Sequence, residues 1–372
     1  MHVVLATDRW GEALGGRERY LANLADTARR AGHRVDVLCA EADGGADTEV
    51  QVLPVPRFPR IAQEALFHHA LAARLALHSG PSLAATPVRG ATHCQLHSGL
   101  MRASLEAERD SLEPGLTRWF FRTGSLLNPR RRLLLRREES VLASATRPRL
   151  MVWSLALRDE LTRRFGIPTS EITVLPPGID GRFHPREGPG GADSPRGDAP
   201  LRLLFAAHNF RLKGLAPLLE ALSRERRRGL PFRLTVAGRG PRAFRSLAAR
   251  MGLSGLVDFL GAVPPARMAE LYRAHDALVH PTFYDPCSLV VLEALASGCP
   301  AVTTRRNGAS EWFEAGRHGL VLDDPRDTDA LAEAIGSLAD APRRRHMAAE
   351  AARLGPRFDF TAHAAQVFDW LA

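Results

Sequence analysis

The chain has 372 residues, 45% of them hydrophobic and 24% charged, a balance that excludes disorder and allows two domains with a core each. A formal net charge of +9, mostly arginine, favours an anionic partner (phosphorylated ligand, acidic lipid surface or nucleic acid) without choosing among them. The apolar run at the N-terminus is too short for a secretory signal and no stretch nears the ~20 apolar residues of a membrane span, while four cysteines without a CxxC spacing exclude a zinc ribbon or disulfide framework and point to reduced thiols in the cytosol.

His2–Ala6 reads as a buried strand, Thr7–Gly16 as a loop ending in Gly15-Gly16, Glu18–Ala31 as a helix, and Arg34–Ala40 as the next strand. In this βαβ opening the glycine pair at the helix start is either a tight turn or bare backbone that a phosphate or sugar can approach. Residues 43–60 read as loop with a short strand, and Ile61–Leu77 as a helix carrying His68 and His69. The span Leu83–Met101 shows no clean period. Its His93 and His97 would share a face if helical, yet no further ligand stands at a metal spacing, so no metal site is expected.

Ser104–Ser144 reads as a long helical region interrupted near Pro114 and Pro129. Trp119, Phe120 and Phe121 precede Arg130, Arg131, Arg132, Arg136 and Arg137, which surround Leu133–Leu135. Three readings stand for this segment, 119–137: a core-packed helix with a solvated basic face, a surface for anionic lipid, or a nucleic-acid contact. Leu150–Trp153 is a predicted strand, Leu155–Phe165 a helix capped by Ser154 and ended by Gly166, and Ile172–Leu175 a strand before Pro176–Asp180. Glu187–Pro200, rich in Gly, Pro and Asp, marks a flexible domain boundary.

A second series starts at Leu201. Strands are predicted at Leu203–Ala206, Arg233–Ala237, Val257–Leu260, Ala277–His280, Pro300–Thr304 and Leu320–Leu322. Helices are predicted at Leu215–Arg226, Ala243–Met251, Pro265–His275, the apolar stretch from Leu289 to Leu295, Thr328–Leu338 and Thr361–Leu371. Two such series predict an α/β protein of two Rossmann-like domains facing a central cleft, with domains at 1–180 and 181–355 and a terminal segment 356–372.

Polar residues collect at strand ends in the second series. Arg211 and Lys213 stand just before Gly214 and a helix, where two cations and a helix N-terminus can neutralise a diphosphate. No GxxxxGK[ST] occurs, so this is not a Walker loop. The strand Arg233–Ala237 runs into Gly238-Arg239-Gly240-Pro241. Glu293 is a single carboxylate in an apolar helix. Buried, it needs a partner, either an internal group or a vicinal diol such as a ribose. Asp285, eight residues earlier, either binds sugar hydroxyls or caps a turn before Pro286.

GGRER, LPPGID, NFRLKG, AGRGP, DALVHPT and the D-x7-E stretch occur in the order seen in GT-B glycosyltransferases of family four, and the chain resembles that family along its whole length. In appearance it is nearest to lipopolysaccharide core glucosyltransferases. The resemblance implies retaining transfer of a hexose, glucose from UDP-glucose, to a lipid-anchored saccharide at the cytoplasmic membrane face, with no metal or other cofactor. The implied partners are a nucleotide-sugar donor on the C-terminal domain, a saccharide acceptor on the N-terminal one and an anionic membrane, without nucleic acid. It implies diphosphate binding by Arg211 and Lys213, ribose binding by Glu293, sugar contacts from Asp285, and phosphate contacts from amides at Ser288 and Leu289. Gly15, Gly16 and Gly238 would border the donor, His97 would stand near its sugar, and the final helix would cross back to the N-terminal domain. Asp285 and Ser288 replace the family's usual Glu and Gly. Two other readings share the fold: a nucleotide-sugar-binding protein without turnover and a nucleotide-sugar epimerase.

Overall fold

The computed structural model describes residues 1–11, 15–43, 49–56, 59–113, 115–185 and 199–372. The break at Pro114, most of the boundary segment 187–200 and part of the loop within 7–16 lie outside the described residues. Two compact units form, one from Met1–Gly178 with Phe360–Ala372 and the other from Ile179–Asp359.

In the first unit the chain order is β1 (His2–Trp10), α1 (Gly16–Arg30), β2 (Arg34–Ala42), β3 (Val50–Val52), α2 (Arg60–Ala76), β4 (Ser82–Ala84), β5 (His93–Gln95), α3 (Met101–Asp110), α4 (Leu116–Leu127), α5 (Pro129–Leu142), β6 (Arg149–Val152), α6 (Leu155–Phe165) and β7 (Ile172–Val174). The strands pair in parallel in the order β3-β2-β1-β4-β5-β6-β7. Val4, Ala6 and Leu38 of the sheet pack against Phe67, Leu71 and Leu75 of α2, which accounts for the helical period read there.

The second unit contains β8 (Leu201–Ala206), α7 (Leu215–Arg227), β9 (Phe232–Ala237), α8 (Ala243–Arg250), β10 (Val257–Gly261), α9 (Pro265–Ala274), β11 (Ala277–His280), α10 (Leu289–Ala296), β12 (Ala301–Thr304), β13 (Gly319–Leu322), α11 (Thr328–Ser337) and α12 (Ala341–Ala352). Its parallel sheet runs β10-β9-β8-β11-β12-β13. Leu203, Phe205 and Val236 meet Leu218, Leu222, Leu331 and Ile335 in one core. At about 1.5–3 kcal/mol for each fully buried large apolar side chain, this packing is the main stabilising term. A last helix, α13 (Phe360–Leu371), belongs to the first unit and packs on α1. The two sheets and their helices make an α/β fold of two domains.

Four expectations need correction. β1 continues to Trp10, and Thr7, Arg9 and Trp10 pair with Cys39, Glu41 and Ala42 of β2. The two strands outrun their neighbours as a polar ribbon, joined by an Arg9–Glu41 ion pair at 3.6 Å, so no apolar period marks them. His93 lies on a strand, so it and His97 share no helix face. The helical region interrupted near Pro114 and Pro129 is three helices, in keeping with those two interruptions, but the first starts at Met101, ahead of the expected Ser104. α12 was not expected, because its buried face is mostly small (Ala348, Ala351, with Met347) and follows three arginines. Asp340 caps it by accepting from the Arg343 amide. The four cysteines are buried free thiols.

Candidate functional site

Both sheets reverse strand order beside their first strand, between β1 and β4 and between β8 and β11. Open α/β sheets bind ligands beyond the carboxyl ends of strands at such switch points. In the second unit the loops after β8 and β11 are tied to each other there. The amide of Phe283 donates to the Leu212 carbonyl at 2.8 Å, and Thr282 Oγ1 donates to the same oxygen at 3.2 Å. Gly214 caps α7 with φ 82°, and a Cβ on it would stand 2.0 Å from the Pro281 carbonyl oxygen. Only glycine permits that approach.

This tie brings Lys213 to Asp285, 72 residues apart: Lys213 Nζ donates to Asp285 Oδ2 at 2.7 Å and to the Tyr284 carbonyl at 2.9 Å. Both side chains are largely shielded from solvent, so the pair is screened less than a surface ion pair. Asp285 Oδ1 accepts from the Cys287 amide at 3.1 Å. Arg211, by contrast, is exposed, and no acidic side chain pairs with it among the described residues. The site therefore carries one fixed cation and one open to solvent.

Behind Asp285 lies Asn307, fully buried and unremarked in the sequence. Its Oδ1 accepts from the amides of Ser288 and Ala309 and its Nδ2 donates to Thr303 Oγ1. Asn307 thus consumes the Ser288 amide that had been assigned to phosphate. Ser288 Oγ lies 3.3 Å from His280 Nε2 and leaves its own helix uncapped, so the Leu289 end of α10 keeps its amide dipole open. His280 is buried, which with the Lys213 ammonium pushes its pKa down to about 3 and keeps it neutral.

Glu293 is buried on α10 and accepts from the Tyr272 hydroxyl at 3.0 Å. An internal donor therefore takes one of its oxygens, a contact between helices that only the tertiary fold reveals. Gly238 follows β9 with φ 124°, and a Cβ there would stand 1.8 Å from the Ala207 carbonyl oxygen. Its backbone is required to pack the β8 and β9 ends together.

Gly15, Gly16 and His97 belong to the first unit. Gly15 is the extended N-cap of α1, and the Glu18 carboxylate lies against it, 2.8 Å from where a Cβ would be. Gly16 opens the helix. His97 is buried between the rings of Tyr20 and Trp153, at 4.9 and 4.5 Å. Neither ring nitrogen has a hydrogen-bond partner, and burial holds its pKa well below the usual imidazole value. Beside it Gln95 Nε2 donates to the Tyr20 hydroxyl at 2.9 Å, and that hydroxyl is 2.6 Å from His363 Nε2 on α13. Among the described residues no group of three or more His, Cys, Asp or Glu converges as metal ligands.

Residues 14–182 match the family model of Glycosyltransferase Family 4, and residues 200–341 that of Glycosyl transferases group 1. A glycogen synthase of Mycobacterium tuberculosis (strain CDC 1551 / Oshkosh) is 34% identical over 213 residues, 57% of this chain and 50% of that protein. A D-inositol 3-phosphate glycosyltransferase of Pseudarthrobacter chlorophenolicus is 36% identical over 194 residues, 50% of this chain and 46% of that protein. The chain spans about half the length of these curated relatives. Among solved structures, WaaG, a glycosyltransferase involved in lipopolysaccharide biosynthesis, superposes with a TM-score of 0.81 at 22% identity, covering 100% of this chain and 99% of that one. Anabaena Alr3699/HepE in complex with UDP-glucose gives 0.71 at 18% identity, covering 100% and 99%. Identities this low bear on the fold alone.

Proposed function

The chain belongs to the GT-B glycosyltransferases, and from that membership we propose that it moves a hexose from a nucleotide sugar to a saccharide acceptor. The donor proposed is UDP-glucose, the transfer retaining and independent of a metal, and the acceptor a lipid-anchored saccharide such as lipopolysaccharide core. The observation that carries the reading is the Lys213–Asp285 pair at the β8/β11 switch, beside exposed Arg211 and the uncapped start of α10.

In this reading Arg211 and Lys213 hold the diphosphate. As the bond between the sugar and the diphosphate breaks, negative charge grows on the leaving oxygen, and the two cations and the Leu289 amide stabilise it. Asp285, oriented by Lys213 and the Cys287 amide, accepts from the sugar hydroxyls. Glu293 takes the ribose hydroxyls while keeping Tyr272. His97, buried with two unpartnered ring nitrogens, is proposed as a sugar contact. Placement at the cytoplasmic membrane face draws on α4, where Leu116, Trp119, Phe120 and Leu127 are exposed apolar residues next to the basic start of α5.

Purified protein given UDP-glucose and lipid-linked acceptors is expected to release UDP, with Lys213→Ala lowering kcat/KM at least about a hundredfold, as for loss of a leaving-group contact. No nucleotide release from any donor and acceptor pair, or full release by Lys213→Ala, refutes it. A second reading, donor binding without transfer, is favoured by the Asp285 carboxylate being engaged on both oxygens by the protein itself. Calorimetric donor binding with no turnover would establish that reading.

A further inference from the structure

The first unit contains a cavity of about 120 Å³ at the carboxyl ends of β4 and β5, next to its own switch point. Thr86, Leu96, Ser98, Ser104, Arg137 and Glu138 are among its walls. The Arg137 guanidinium makes no hydrogen bond and no ion pair within 4.0 Å among the described residues, and its Nε is buried without a partner. An Nε buried without an acceptor is unfavourable unless something else accepts from it, and the remaining N–H groups of this half-buried guanidinium have no protein acceptor either, so they are available to whatever enters the cavity. Glu138 beside it is fixed: both its oxygens lie within hydrogen-bond distance of the Met101 amide, at 3.1 and 3.0 Å.

The charges around Arg137 indicate what can enter. The carboxylates of Asp8, Glu64 and Glu138 all act on the guanidinium, Glu64 being also paired with Arg130 and Asp8 lying 3.8 Å from Arg17. Burial raises the Glu138 pKa to about 7, so it is partly ionised at neutral pH. With Glu64 held by Arg130 and Asp8 beside Arg17, Glu138 is the carboxylate left to face Arg137, and a phosphate or carboxylate drawn to that guanidinium would be set against it. A neutral polyol meets no such barrier. It offers oxygen acceptors to Arg137, hydroxyl donors to Glu138 and either role to the serine and threonine hydroxyls. Its C–H face can lie on Leu96 and Leu134.

We propose that this cavity receives the hydroxyl-bearing edge of a neutral sugar or cyclitol ring, Arg137 donating to one hydroxyl and Glu138 accepting from its neighbour. The polyol chemistry stands on the cavity alone. Its role as the acceptor's seat rests on the transferase reading above.

The test is saturation-transfer NMR on the full chain, with methyl α-D-glucopyranoside and myo-inositol as neutral probes and glucose 6-phosphate as the anionic one. Binding of UDP is followed in parallel by calorimetry. At least one neutral probe is expected to bind. Arg137→Met, which removes the donors, and Ser104→Leu, which fills the cavity without touching a charge, each weaken it about tenfold or more while UDP binding is unchanged. Absence of neutral-probe binding, binding unaffected by both variants, or tighter binding of glucose 6-phosphate each overturn the proposal. Neutral-probe binding that both variants abolish, in a protein that binds no UDP, upholds the cavity and removes only its role as an acceptor seat.

Discussion

Acidification probes the contact that holds α13 in the first unit. His363 is buried there, its Nε2 facing the Tyr20 hydroxyl, and burial lowers its pKa to about 4 from 6.5, the Pro176 carbonyl partly opposing the shift. The other groups facing it are Gln95, which donates to Tyr20, and His97, itself under the positive field of Arg17. Since the Tyr20 oxygen already accepts from Gln95, its proton goes to His363 Nε2, which must be neutral to accept it. The folded state therefore resists a proton that the unfolded chain takes up near pH 6.5. Stability from this residue is whole above that value and declines as pH falls towards 4. Two pKa values of 6.5 and about 4 give a loss of ~2 kcal/mol between pH 7.5 and pH 5. Urea unfolding of the wild type and of His363→Gln at both pH values measures it. His68, His93 and His280 also have lowered pKa values, but they titrate in both proteins and cancel in the difference. The wild type should lose ~2 kcal/mol more than the variant over that interval. Equal losses would refute the coupling.

Gly238→Ala forces a side chain into φ 124° and towards the Ala207 carbonyl oxygen 1.8 Å away, and should lower unfolding stability by at least ~2 kcal/mol; an unchanged denaturation midpoint contradicts this. Tyr272→Phe removes the hydroxyl from buried Glu293 and should cost about 1–2 kcal/mol of stability in the same assay. Glu293→Gln should weaken UDP binding at least about tenfold by calorimetry, and equal affinity would remove Glu293 from the ribose site. Trp119→Ser with Phe120→Ser, at positions 56% and 61% exposed, should leave the melting temperature in place while reducing cosedimentation with phosphatidylglycerol-containing vesicles about tenfold or more. Undiminished cosedimentation would dismiss α4 as a membrane contact.

The second unit was the more legible. Strands buried on both faces read as apolar runs, and Ala277–His280 matches β11 at both ends. Helices such as α7 show a one-sided apolar stripe, with Leu215, Leu218, Leu219 and Leu222 inside. β5 escaped notice because three buried residues, His-Cys-Gln, carry no recognisable period. The site was legible as residue types at loop positions, not as partnerships. Lys213 and Asp285 were each visible, but their pairing depends on β8 and β11 being neighbours in the sheet, a consequence of strand order. Asn307, in an Arg-Arg-Asn-Gly run, looks like an ordinary turn until three partners converge on its amide. Arg137 was one of five clustered arginines. What sets it apart is a buried Nε without a partner, which depends on how α5 packs against α2 and α3.

The return of α13 to the first unit also orders the protein's synthesis. The Tyr20, Phe360 and His363 cluster joins residues that lie on either side of the second unit in the chain, so the first unit cannot close its core when its own strands emerge. It must wait while the whole of Ile179–Asp359 is made, roughly 10–40 s at ~5–20 residues per second. The second unit has no such debt to a later segment. The unit translated second is thus the first able to finish folding, and the first unit leaves the flank of α1 that packs on α13 uncovered until α13 emerges.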